Sequence, residues 1–136
     1  MSTTDRNYDR ELLDTPDHKY AYRFDLDVMH PFMLRAFAPF CGQGSVLELG
    51  SYTGEFTSRL AERFTDITCV EASGEAAAAA RSRLGDRARI VQATFETVTL
   101  DRRFDHVVLT HVLEHLDDPV AVLKRVNDEW LADTGR

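Results

Sequence analysis

The chain has 136 residues, 43% of them apolar and 29% charged, the make-up of one ordinary globular domain. Twenty-three acids against 16 bases leave a net charge of −7, which argues against nucleic acid as a partner, because phosphate contacts need clustered Lys and Arg. The longest apolar run is the alanine stretch Ala76 to Ala80, whereas a membrane span needs about 20 apolar residues. The start, Met1-Ser2-Thr3-Thr4-Asp5, has no apolar signal core, so the composition reads as cytoplasmic.

Residues 1–24 read as a polar N-terminal arm with one helical turn and scattered aromatics, Tyr8, Tyr20, Tyr22 and Phe24. Residues 25–136 read as the domain proper. Its first segment, 25–40, is apolar at Val28, Phe32, Leu34, Phe37 and Phe40, a loose helical pattern in which Pro31 limits where the helix can begin. Cys41-Gly42-Gln43-Gly44 breaks it. An alternation then starts. Ser45–Gly50 is a short apolar strand. Residues 54–64 place Phe56, Leu60, Ala61 and Phe64 on one helical face. Asp66–Glu71 is a second strand, and Glu75–Leu84 an alanine-rich helix. Ala88–Ala93 is a third strand, and Phe104–Thr110 a fourth whose apolar centre predicts cover on both faces. Asp118 is a suitable N-cap and Pro119 a suitable first residue for a last helix, with Val122 or Leu123, Val126 and Trp130 as its apolar face. Strands alternating with helices of this length predict a parallel sheet built from right-handed βαβ units. The two cysteines, Cys41 and Cys69, are too far apart for a CxxC motif, and Cys69 reads as a small core hydrophobe.

The sharpest signal is Val46-Leu47-Glu48-Leu49-Gly50-Ser51-Tyr52-Thr53-Gly54, a strand, a turn with two glycines and a helix start. Open α/β sheets bind ligands beyond the carboxyl end of such a strand. Gly50 allows a sharp turn and a close approach to a ligand, and Gly54 allows close packing of the helix start. Glu71 follows Gly50 by 21 residues, the spacing of a carboxylate that accepts both hydroxyls of a ribose. Dinucleotide sites use G-x-G-x-x-G, but bulky Tyr52 stands where the second glycine would admit a pyrophosphate. Glu48, just before the turn, repels phosphate and suits an amino group. A ribose-bearing ligand without phosphate fits better.

These residues resemble the class I S-adenosylmethionine-dependent methyltransferases of the small-molecule, ubiquinone-biosynthesis type. Four stretches match in order: VLELGSYTGEFT (46–57), ITCVEAS (67–73), IVQATFET (90–97) and FDHVVLTHVLEHLDDP (104–119). The resemblance implies a Rossmann-like parallel sheet with helices on both faces and strand order 3-2-1-4. It implies S-adenosylmethionine as cofactor and a small molecule as methyl acceptor. Glu48, Gly50, Ser51 and Gly54 would border the methionine end; Glu71 would take the ribose diol, with Ala72 and Ser73 beside the adenine. Phe95 and Glu96 would flank the adenine, and Thr110, His111 and Val112 would line the wall near the sulfonium. Many relatives carry Gly-Asp after the third strand, where this chain has Ala93-Thr94.

Methyl transfer from a sulfonium is an in-line displacement, so positioning dominates and a general base is needed only for a protonated nucleophile. His111 and His115 are the candidate catalytic residues. His18, His30 and His106 have no such setting. His111-Val112-Leu113-Glu114-His115 also matches H-x-x-E-H, a zinc-hydrolase pattern, but it directly follows a strand and a new helix begins at Asp118, so no metal site is expected. In the resembled family, Trp130–Arg136 would lead into a fifth strand and two more, which finish the substrate pocket. Ending before them, the chain would expose the fourth strand as an apolar edge and could self-associate through it. The alternative function is a nucleoside-cofactor-binding module without turnover.

Overall fold

The computed structural model describes residues 6–14 and 26–136. The readings on His18, Tyr20, Tyr22 and Phe24 lie outside the described residues.

The arm's turn is a helix, α1 (Tyr8–Asp14), followed in the domain by α2 (Leu26–Phe37), β1 (Val46–Leu49), α3 (Glu55–Leu60), β2 (Ile67–Glu71), α4 (Gly74–Leu84), β3 (Arg89–Gln92), β4 (His106–Leu109) and α5 (Pro119–Arg125). The strands form one parallel sheet in the order β3-β2-β1-β4, as the resemblance implies. Two apolar clusters cover its faces. Val46, Ile67, Cys69 and Val108 pack with Phe56, Leu60 and Phe64 on one side. Leu47, Leu49 and Val70 pack with Phe95, Phe104, Val122 and Trp130 on the other. β1 is buried at every position, which explains its unbroken apolar pattern around Glu48.

Three elements differ from the sequence expectation. Pro31 lies inside α2 instead of marking its start. Proline lacks the N–H that would bond the carbonyl four residues back, so α2 gives up one bond near its beginning and continues. α3 ends at Leu60, not at 64, and residues 61–63 form a turn that still buries Phe64. The edge of β4 is not wholly bare. Residues 131–136 run along its start: Ala132 N–H donates to Phe104 O (2.9 Å), Arg136 N–H to Asp105 O (2.9 Å), and Val107 N–H to Arg136 O (2.9 Å). Asp118 caps α5, accepting from Ala121 N–H at 2.9 Å, and Pro119 is its first residue. Val122, not Leu123, faces the core, since Leu123 is 44% exposed.

Candidate functional site

Parallel register sets the site's level. Leu49 lies opposite both Val70 and Leu109, so Gly50, Glu71 and Thr110 leave three adjacent strands side by side at their carboxyl ends. Gly50 turns there with φ 82°, and a Cβ on it would stand 2.6 Å from Val112 Cγ2. The turns after β1 and β4 therefore touch, and only glycine lets them. Gly54, φ 81°, begins α3 pressed against α4: a Cβ there would meet Leu84 Cδ1 at 3.0 Å and Ala80 at 3.3 Å. Its close approach is to a helix, not to the strand.

Glu71 is held from both sides. Its Oε2 accepts from Tyr52 N–H and its Oε1 from Ser73 N–H, each at 2.8 Å. Each carboxylate oxygen offers two lone pairs, so each keeps one for a ligand hydroxyl. The residue in the place of the dinucleotide motif's second glycine, Tyr52, adopts a left-handed φ of 48° and directs its ring to solvent, 54% exposed.

Below the turn, Glu48 is 1% exposed. Thr57 Oγ1 donates to its Oε2 at 2.6 Å, and Cys69 Sγ lies 3.6 Å from the same oxygen. Burial pushes the Glu48 carboxyl up to about 7, and the charge of Glu71 adds to the shift. Burial, with Glu48 next, pushes the Cys69 thiol up as well, consistent with a packing role. Ser51 Oγ is buried and has no hydrogen-bond partner among the described residues. A buried hydroxyl without a partner is costly, so an absent ligand atom is a natural complement.

After β2, Ala72 is half-buried, and Ser73 caps α4 by accepting from Ala76 N–H at 3.1 Å. After β3, buried Phe95 packs beneath Gly50, 3.7 Å from where its Cβ would be, while Glu96 is exposed. After β4, Thr110 is half-buried and Val112 buried. His111 has a φ of 54° and a half-exposed side chain whose Nδ1 lies 3.7 Å from Glu114 Oε1. Left-handed non-glycine residues thus occur only at 52 and 111 among the described residues, one on each of the two touching turns. Strain of this kind gathers at functional sites. The H-x-x-E-H stretch has only one 3-10 turn, Leu113–His115, so its histidines do not share a helical face. The two other histidines among the described residues are partnered elsewhere: His30 Nδ1 accepts from Arg59 (3.3 Å), and His106 Nε2 meets Gln43 O at 3.2 Å.

Sequence reasoning missed Thr57 and the arm residues Arg6, Tyr8 and Asp9. Thr57 was visible as a polar residue beside Phe56 on a buried helical face. The arm residues had no signal, since their contacts lie more than 60 residues away.

The chain is thus an open parallel α/β protein with Gly50, Glu71 and Thr110 beyond the strands' carboxyl ends, the place where such sheets bind ligands. The methyltransferase-domain family profile matches residues 47–136, and the chain belongs to that family. Among solved structures, the glycopeptide N-methyltransferase MtfA complexed with S-adenosyl-L-homocysteine is 30% identical, with a TM-score of 0.68, covering 76% of this chain and 45% of its own. A DhpI complex with S-adenosyl-homocysteine is 28% identical, with a TM-score of 0.62, covering 81% and 58%. An S-adenosylmethionine-dependent methyltransferase from Clostridium acetobutylicum shares the fold at 16% identity, with a TM-score of 0.68, covering 93% and 54%. The chain spans about half the length of these structures. Among curated proteins, none matches this sequence.

Proposed function

We propose that this chain is the cofactor-binding part of an S-adenosylmethionine-dependent methyltransferase acting on a small molecule. The observation that carries the reading is Glu71, fixed by two backbone N–H groups and left with one lone pair per oxygen beside the Gly50 turn. That is an acceptor pair made for vicinal hydroxyls. The remaining residues fit the group. Ser51 Oγ has no partner among the described residues, and the buried Glu48 carboxyl lies below the same turn. Val112 and Thr110 close the wall after β4, and Ala72, Ser73, Phe95 and Glu96 stand where the adenine would lie. The neighbours MtfA and DhpI, bound to S-adenosyl-homocysteine, support the same cofactor here.

S-adenosylmethionine, when bound, would supply an electrophilic methyl group, which passes to the acceptor while the sulfur keeps the electron pair and departs as a neutral sulfide. The protein's task is then to hold acceptor and methyl group in line. An acceptor amine arriving neutral needs no base. A hydroxyl acceptor does, and His111 is the better placed of the two histidines, because its half-exposed ring stands on the wall beside Val112, with Glu114 Oε1 3.7 Å from its Nδ1. The outer edge of β4 beyond Val107 is where self-association of this chain is proposed.

Calorimetry tests the reading. S-adenosyl-homocysteine should bind more tightly than NAD, and Glu71→Ala should lose about 1.5–3 kcal/mol, roughly 10- to 150-fold in Kd. Tighter binding of NAD, or equal binding by wild type and variant, sinks it.

A further inference from the structure

α1 crosses the carboxyl end of the sheet. At one side the Asp9 carboxylate accepts from Ser73 Oγ at 2.5 Å and from Glu75 N–H at 3.3 Å, at the start of α4. At the other side Arg6 donates to the His115 carbonyl at 3.1 Å and to Asp117 at 3.3 Å, in the segment leading to α5. α4 and α5 pack on opposite faces of the sheet: Ala77 and Ala80 are buried on the first, Val122 and Val126 on the second. So residues 6–9 bridge from one face to the other over the strand ends. Between the two anchors stands Tyr8, with the Arg6 guanidinium 5.0 Å from its ring centroid. Burial pushes the Tyr8 phenol up; Arg6 opposes this, and the carboxylates of Glu96 and Asp117 reinforce it. Two loops, following β2 and β4, thus meet at residues 6–9. Glu11 clamps the Arg6 end with bonds of 2.7 and 2.8 Å. Hydrogen bonding to Ser73 holds the Asp9 carboxyl below its ordinary range, so the other anchor is anionic at neutral pH.

We infer that α1 is a structural member of the cofactor site, the roof over its adenosine half, with Tyr8 as the roof residue and Arg6 and Asp9 as its two anchors. The inference rests on the cofactor reading above. A nucleoside seated on Glu71 lies one or two residues from Ser73 and under the bridge that Ser73 anchors. The bridge stands across its way out, so α1 sets the rate of escape more than the rate of capture. The methionine half, toward Gly50 and His111, lies outside the bridge. α1 should therefore act on adenosine alone as much as on the whole cofactor.

Arg6→Ala and Asp9→Ala release the two anchors of the bridge, one just before α1 and one in its first turn, and a roof role requires similar effects from both. Surface plasmon resonance with S-adenosyl-homocysteine, and calorimetry with adenosine, are the readouts, with Tyr8→Ala as a third variant that spares both anchors. The expected result is a dissociation rate raised about tenfold by each variant, an association rate changed far less, and adenosine affinity lowered by a similar factor. Local helix stabilisation by Asp9 alone would move only Asp9→Ala and leave Arg6→Ala and Tyr8→Ala at the wild-type rate, which overturns the inference. Unchanged dissociation in all three overturns it too. Failure of the wild-type chain to bind either ligand instead overturns the cofactor reading itself.

Discussion

Glu48 is a carboxyl group in the wrong solvent. With 1% exposure and one strong donor, Thr57, it holds its proton up to about pH 7, against an ordinary 4.5. The sign of the linkage follows. Between pH 4.5 and about 7 the folded chain binds this proton and the unfolded chain releases it, so the contribution to stability is full below 4.5 and fades as pH rises through 7. Glu48→Gln keeps the shape without the charge. Its stability relative to wild type should therefore rise with pH, by roughly 3 kcal/mol at most between pH 4.5 and 8. Urea unfolding of both proteins across that range measures it, and a difference independent of pH would mean that Glu48 ionises freely. The place of Glu48 just before the turn was legible in the sequence. Its protonation was not, because that depends on Thr57 and Cys69 arriving from other elements.

The elements that sequence alone located best are those fixed by local chemistry. The last helix begins where Asp118-Pro119 says it should: the aspartate supplies an acceptor for an orphan N–H, and proline has no N–H to satisfy. Asp118→Ala should cost about 1 kcal/mol in urea unfolding, and Asp118→Asn much less. If both cost the same, charge and not capping is what matters there. This cap ends the loop carrying His111 and His115. The order β3-β2-β1-β4 was legible only through the family resemblance, while the level of Gly50 and Glu71 was legible directly, because glycine spacing and the apolar runs mark strand ends. What stayed hidden is non-local. Pro31 could sit inside α2, with Met33, Leu34 and Phe37 packed against the domain, because tertiary burial outweighs one missing hydrogen bond. α1 could dock because Asp9 found Ser73 and Arg6 found Asp117, pairs that no period or motif links.

At the scale of the molecule, the weak boundary is the outer side of β4. His106 N–H turns inward to Ser45 O, so Val107 N–H turns outward, and it is taken by Arg136 O. Arg103 ties the same segment down by donating to Leu131 O at 2.7 Å, and a parallel bridge joins Phe104 to Leu131. Residues 131–136 thus stand in for a neighbouring strand over the first part of the edge. Beyond Val107, β4 meets no further strand among the described residues. A chain shortened to end at Trp130 would lose all three backbone bonds between residues 132–136 and 104–107. At about 0.5–1.5 kcal/mol each, that is roughly 2–4 kcal/mol. It would also uncover Phe104, now 1% exposed, beside a row of open backbone groups. Exposed apolar edges pair with other chains. Sedimentation velocity should therefore show the shortened chain associating at concentrations where the full chain does so less, with a lower melting temperature. Added S-adenosyl-homocysteine should raise the melting temperature of both, because Gly50 and Glu71 lie at the strands' carboxyl ends, away from the deleted segment. A shortened chain that melts and sediments like the full one would show that residues 131–136 leave the edge as they found it.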